Sequence, residues 1–247
     1  MLPANIQALA DRGAMFVINH SGGKDSQAMT LFLQRHIPRE QLVIIHADLP
    51  GVDWEGIAEH IRETAPGIPF YISRNENKTF LEMVERRGKF PSPQQRQCTS
   101  DLKRDPINRT IRRLGYRLIV SCQGMRAEES TPRAKLATFR LDARNSTDRR
   151  EQYVWLPIHA WTERQVYAAI AEAGQQPHWA YGAGMSRLSC CFCIMASKAD
   201  LQTAARLKPE LFRRYCELER RIGQTMMMPL ESGRRRFLDE IVGGAMG

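Results

Sequence analysis

Met15-Phe16-Val17-Ile18-Asn19-His20-Ser21-Gly22-Gly23-Lys24-Asp25-Ser26-Gln27-Ala28-Met29-Thr30-Leu31-Phe32-Leu33 decides the fold of this chain. A short apolar run enters a glycine-rich turn, and a helical pattern leaves it. Two consecutive glycines let backbone N–H groups approach an anion, while the helix N-terminus adds unpaired donors and the positive end of its dipole. Lys24 adds a mobile charge, so the segment predicts a phosphate-holding turn. The plainer alternative is a strand-to-helix turn capped by Ser or Asp. The full string, with a strand before it and a helix after it, favours phosphate.

Working outward, the pattern predicts a helix over 5–13, a strand over 15–19 and a helix from about 25 to 36. Further strands are expected at 42–46, 70–72, 118–122 and 154–158, with helices at 53–64, 79–87 and 162–173. Such alternation predicts an α/β fold with a doubly wound, mainly parallel sheet that binds ligands at the carboxyl ends of its strands. Residues 131–152 carry Arg133, Lys135, Arg140, Arg144, Arg149 and Arg150 among few large apolar residues, which predicts a mobile basic surface loop. Helical patterns at 199–205 and 209–222 and an amphipathic element at 230–242 suggest one domain over 1–195 carrying a helical C-terminal extension, 196–247. The Met226-Met227-Met228 run is expected to pack in a core.

The Ser21–Ser26 string resembles the signature of the PP-loop ATP pyrophosphatases, the adenine nucleotide alpha hydrolases. Three later segments resemble the phosphoadenosine phosphosulfate reductase-like branch of that superfamily. These are Gly124-Met125-Arg126-Ala127-Glu128-Glu129-Ser130, Leu156-Pro157-Ile158 with Trp161-Thr162, and Arg187-Leu188-Ser189-Cys190-Cys191-Phe192-Cys193. The resemblance implies an adenine nucleotide alpha hydrolase-like fold. It also implies ATP chemistry at the α-phosphorus, with Mg2+ sharing the phosphate charge, to give AMP and pyrophosphate. The Walker pattern GxxxxGK[ST] is absent from the string, which makes transfer of the γ-phosphate the weaker reading.

In that reading Ser21, Gly22, Gly23 and Ser26 contact phosphate and Lys24 neutralises it. Asp25 either positions a metal-bound phosphate or caps the helix. Asp48, at the end of the second strand, is expected near the adenosine. Gly124 and Arg126 are expected beside the phosphates, with Glu128 bound to metal or paired. Lys24, Asp25 and Arg126 are the catalytic candidates.

The chain holds 6 cysteines, and clustered thiols in a reducing compartment suggest ligands before disulfides. Cys190 and Cys193 form a C-x-x-C pair around Cys191. Cys98, in Gln97-Cys98-Thr99-Ser100-Asp101-Leu102-Lys103, resembles the cysteine-plus-lysine element of the reductase-like branch. Cys98, Cys190 and Cys193, with Cys191 as fourth, could hold a 4Fe-4S cluster, which the resemblance favours, or tetrahedral zinc. Cys122 and Cys216 are expected to be buried packing residues. A persulfide carrier is a further possibility for one of the clustered thiols.

Formal charge is +9 and hydrophobic content 43%, ordinary for a soluble protein but suited to a polyanionic partner. No apolar run reaches the roughly 18 residues of a membrane span, and no secretory signal is evident at the start, so a cytoplasmic location is expected. The intact glycine loop and the absence of a cysteine after Cys216 turn the reading away from phosphoadenosine phosphosulfate reduction itself. They turn it toward sulfur insertion, similar to the DndC/SspD group of DNA phosphorothioation proteins. ATP would adenylylate a DNA backbone phosphate, and sulfur from a cysteine desulfurase within a modification complex would displace AMP. Arg234, Arg235 and Arg236 would add phosphate contacts. Thiolation of tRNA is the alternative acceptor chemistry, and a non-enzymatic iron-sulfur nucleotide sensor is the alternative class.

Overall fold

The computed structural model describes residues 2–243, which divide into two compact units. The first comprises Met1–Ala47, Gly56–Ser73 and Ile107–His178; the second comprises Asp48–Glu55, Arg74–Pro106 and Trp179–Gly247. The division does not fall at residue 195. The second unit gathers Cys98 and the 190–193 cysteines with the C-terminal helices.

The first unit is built on a six-stranded sheet of order β3-β2-β1-β4-β6-β5. Its strands are β1 (Met15–Asn19), β2 (Leu42–Ala47), β3 (Phe70–Ser73), β4 (Leu118–Gln123), β5 (Phe139–Leu141) and β6 (Glu151–Trp155). All neighbours pair in parallel except β5, which runs antiparallel to β6. β1 and β2 are nearly continuous runs of Val, Ile and Phe, as strands covered on both faces require. Val17, Val43, Ile45, Ile111 and Ile119 form one buried cluster, against which Met15, Ile107, Leu114 and Tyr116 pack.

The helices of this unit are α1 (Ala4–Asp11), α2 (Lys24–His36), α3 (Ile57–Thr64), the bulk of α6 (Asp105–Leu114), the short α7 (Thr131–Ala134) and α8 (Glu163–Glu172). Strand order reverses between β1 and β4, so the loops that leave these two strands meet at the topological switch point where such sheets bind ligands. The second unit contains α4 (Phe80–Arg87), α5 (Gln97–Thr99), α9 (Trp179–Gly182), α10 (Lys198–Leu207), α11 (Pro209–Ile222) and α12 (Leu238–Val242). Among the described residues no helix is long and apolar enough to cross a membrane.

Several expected elements are corrected. The helix expected over 53–64 begins at Ile57, because the Asp53 carboxylate accepts the Leu49 N–H at 2.9 Å and Gly56 is left-handed at φ 77°, which holds the preceding residues in a turn. The expected mobile loop at 131–152 is ordered. It contains α7 and β5, and a turn in which Asp142 accepts from Asn145 while Arg150 donates to the Asn145 carbonyl at 2.8 and 2.9 Å. The strand expected at 154–158 is Glu151–Trp155 and stops before Pro157. Only Leu238–Val242 of the expected 230–242 element is helical. α6 was absent from the sequence reading, although Ile107, Ile111 and Leu114 are spaced four and three apart on one face and Arg109, Arg112 and Arg113 lie off it.

Glu219 on α11 is fully buried and holds the C-terminal segment to the second unit. Its carboxylate accepts the Met226 N–H at 2.6 Å and the Leu238 N–H at 2.7 Å. Removing it leaves two buried donors without an acceptor. Glu219→Ala should therefore lower unfolding stability by about 3 kcal/mol, measured by urea denaturation, and should make 226–238 sensitive to limited proteolysis; an unchanged midpoint would contradict this anchoring role.

Candidate nucleotide site and cysteine site

The turn after β1 is shaped from behind. Gly22 adopts a left-handed φ of 83°, open to glycine. Its N–H donates to His20 Nδ1 at 3.0 Å. The Ser26 hydroxyl donates to the Gly23 carbonyl at 2.8 Å, accepts the Ser21 N–H at 3.3 Å, and stands 3.2 Å from the same His20 nitrogen. Gly23 caps α2 with extended backbone, and no side chain caps the helix. An anion at this end of α2 would meet main-chain donors and the positive end of the helix dipole.

Because His20 Nδ1 accepts, the ring proton sits on Nε2, a buried atom with no partner. Burial first, and then His46 and His60, lower the His20 pKa to about 3. His60, lowered to about 4 by burial and His178, donates to Gln27 at 3.3 Å. Both rings are neutral at physiological pH, so sequence reading missed a structural role for His20 that its position beside Ser21 could have suggested.

The loop that leaves β4 meets this turn. A Cβ on Gly124 would stand 3.1 Å from the Asp25 backbone and 3.2 Å from Ser26 N. Gly124 therefore serves close backbone approach. Arg126 is 4% exposed and donates through Nε to Asp25 at 2.6 Å and through Nη1 to Glu128 at 2.5 Å. Burial opposes its charge, but these carboxylates outweigh burial and raise its pKa. Glu128 also accepts the Glu163 N–H at 2.7 Å, which with Arg126 lowers its pKa. Lys24 Nζ lies 3.2 Å from Glu163, 3.8 Å from Asp25 and 5.8 Å from the Tyr167 ring centre. Ser21, Gly22, Gly23, Lys24, Asp25, Ser26, Gly124 and Arg126 are thereby brought together. Glu163 and Tyr167, which the sequence presented only as the start of a capped helix, join them.

Asp48 follows β2 directly, with its carboxylate 4.0 Å from Arg74 in the second unit. In that unit Cys98, Cys190 and Cys193 lie within electrostatic range of Lys103, whose pKa is raised by the charge of Cys190 first and of Asp53, Cys193 and Cys98 after it. Burial pushes the Cys98 and Cys190 thiols up while Lys103 pulls them down. Cys193 Sγ accepts the Met195 N–H at 3.4 Å. The Cys98 segment is fixed by Asp101, which accepts from Lys78 at 2.6 Å, Ser100 at 2.8 Å and Gln97 at 2.9 Å.

Cys191 has different surroundings. It is fully buried, its N–H donates to the Val52 carbonyl at 2.8 Å, and its electrostatic neighbours are Asp53, Lys208 and Glu55 rather than Lys103 or another thiol. Cys98, Cys190 and Cys193 thus share Lys103 as an electrostatic neighbour, while Asp53, Lys208 and Glu55 act on Cys191. Cys122 is buried in β4 of the first unit and Cys216 lies on α11 beside Asp239 and Glu219. A soft sulfur donor set around a retained cation fits an anionic iron–sulfur cluster better than it fits a hard metal ion.

The sequence model of the phosphoadenosine phosphosulfate reductase domain family matches residues 15–196. A 37.8 kDa protein of Escherichia phage 186 is 32% identical over 173 residues, 69% of this chain and 49% of the phage protein. A protein of Methanocaldococcus jannaschii is 28% identical over 203 residues, 82% of this chain and 47% of the other. The chain spans about half the length of both curated relatives. The phosphoadenylyl-sulfate reductase of Candida auris, solved as a phosphate complex, shares the fold with TM-score 0.50 at 15% identity, over 71% of this chain and 80% of that one.

His20 and His60 make the first unit acid-sensitive in a defined direction. Below the unfolded value of about 6.5, the unfolded chain takes up protons that the folded rings refuse until about 4 and about 3, so stability falls with pH across that window. Thermal melts between pH 7.5 and pH 4.5 should show this decline. His20→Asn, whose side-chain oxygen can accept the Gly22 N–H in place of Nδ1, should flatten it; an acid limb unchanged in that variant would remove His20 as a cause.

Proposed function

Because the chain belongs to the phosphoadenosine phosphosulfate reductase domain family, we propose that it uses a nucleotide as an ATP pyrophosphatase, activating a nucleic-acid phosphate for sulfur insertion. The observation that carries this reading is the glycine turn entering α2 with Lys24 and Arg126 on either side, each held by carboxylates. An acceptor oxygen attacks the α-phosphorus of ATP, a new P–O bond forms, and the α–β bond breaks to release pyrophosphate. The loop amides and Lys24 bind the departing charge, and Arg126 is oriented by Asp25 and Glu128 toward the same end of the sheet. Asp25 and Glu163 offer the oxygen donors that Mg2+ requires.

A sulfur nucleophile then attacks the acceptor phosphorus, forming a P–S bond and expelling AMP. Where the donor is the persulfide of a cysteine desulfurase, a second thiol cleaves the S–S bond and leaves as the disulfide. Cys98, Cys190 and Cys193 would hold a 4Fe-4S cluster, which when bound supplies sulfur-rich redox chemistry. DNA is the acceptor favoured here, because Lys135, Arg140, Arg144 and Arg149 are exposed on the first unit. Arg133 and Arg150 belong to the fold instead, paired with Glu129 and with the Asn145 carbonyl. Arg234 and Arg235 are engaged with Glu240 and Gln224.

Pyrophosphate release from ATP with duplex DNA should be detectable in the wild type and should fall at least about 100-fold in Lys24→Ala. Absence of release in the wild type with DNA or tRNA would favour the sensor reading. Replacing Lys135, Arg140, Arg144 and Arg149 by Ala should flatten the salt dependence of DNA binding by a slope of about 3 to 4 in log K against log salt. A stimulating tRNA with inert DNA would move the acceptor to tRNA.

A further inference from the structure

Tyr215 is the fully buried side chain that neither site uses. It is 0% exposed on α11, and its hydroxyl has no hydrogen-bond partner. The ring is fixed by aromatic neighbours: Phe192 at 5.1 Å between centroids, Phe80 at 6.0 Å and Phe90 at 6.1 Å. Phe192 is the residue between Cys191 and Cys193, so the phenol is docked onto the cysteine segment itself. The charged neighbours of the phenol are Cys190, Cys191, Cys193 and Asp53; with burial as the first cause, they keep it protonated. A buried O–H without an acceptor costs free energy that a packed ring alone does not require, since phenylalanine would pack the same way.

We propose that the Tyr215 hydroxyl is the hydrogen-bond donor built into the cysteine site, donating to an anionic sulfur of the group that Cys98, Cys190 and Cys193 hold. The proposal rests on the iron–sulfur reading of those cysteines. Tyr215 is a positioning and tuning residue: it makes no bond to metal, and its dipole stabilises the extra negative charge of the reduced state. Lys103 supplies a full charge at the same site. Tyr215 supplies direction, because its ring cannot turn within its aromatic clamp.

The full chain, reconstituted anaerobically with iron and sulfide, tests both levels separately. Wild type and Tyr215→Phe should carry equal iron and sulfide, with matching circular dichroism. The midpoint potential of the variant, followed by EPR, should shift negative by about a tenfold change in the reduction equilibrium, about 59 mV for a one-electron couple. Site-specific 3-fluorotyrosine at position 215, a stronger donor of nearly the same size, should shift the potential the opposite way. That keeps the test decisive if the phenylalanine variant misfolds. Equal loading with unchanged potentials in both variants overturns the Tyr215 role and leaves the cluster standing. A wild type that binds zinc or nothing overturns the iron–sulfur reading, and this proposal with it.

Discussion

The first unit depends on how closely two backbones approach at the switch point. A Cβ on Gly124 would press on the Asp25 and Ser26 backbone, and this close approach sets where the β4 loop presents Arg126. β1 lies between β2 and β4 in the sheet, so the turn it carries inherits the rigidity of the central ladder. The remaining freedom of the turn is removed from within by the His20 ring behind Gly22 and the Ser26 hydroxyl. A turn held in this way offers its main-chain donors at little conformational cost to an incoming anion.

Charge at this site is arranged for a ligand that brings both signs. Two cations, Lys24 and Arg126, face three carboxylates, Asp25, Glu128 and Glu163. A bare polyphosphate would meet acidic groups as well as basic ones. A polyphosphate carrying a divalent cation satisfies both, since the carboxylates gain a partner as the cations exchange theirs for phosphate oxygens. Under the proposed pyrophosphatase reading, the same carboxylates that orient Lys24 and Arg126 would become available to metal as those cations turn to phosphate.

How much of this was legible follows from the kind of signal each feature leaves. β1, β2 and α2 were readable almost to the residue because a buried parallel strand is a continuous apolar run and the glycine pair marks its end. α6 was not read, although Ile107, Ile111 and Leu114 mark one face at helical spacing; only three apolar residues carry that face among many charged ones. Residues 131–152 read as a loop because their order comes from polar turn contacts around Asp142 and Arg150 and an antiparallel edge strand of three residues, none of which has a period. At the site, the glycine string announced Ser21 to Ser26. Glu163 acts through partners distant in sequence, which one sequence does not mark, whereas His20 acts on the turn it directly precedes. The cysteine set left a fainter mark, since adjacency to Cys190 does not say which way the Cys191 side chain points.

α11 of the second unit makes the same point about buried polar groups. Its inward face carries both Glu219 and Tyr215. Glu219 is satisfied inside the fold by two backbone donors, so its cost is met whether or not anything binds. Tyr215 is left with an unused donor beside the cysteine segment, and that cost persists until an acceptor arrives. An anionic sulfur group bound there recovers it. Binding to the folded chain and not to the unfolded one then stabilises the unit by mass action, to an extent set by the ligand's affinity and free concentration. That affinity already contains the bond from Tyr215, so what the cysteines hold and how firmly α11 holds its place are one equilibrium.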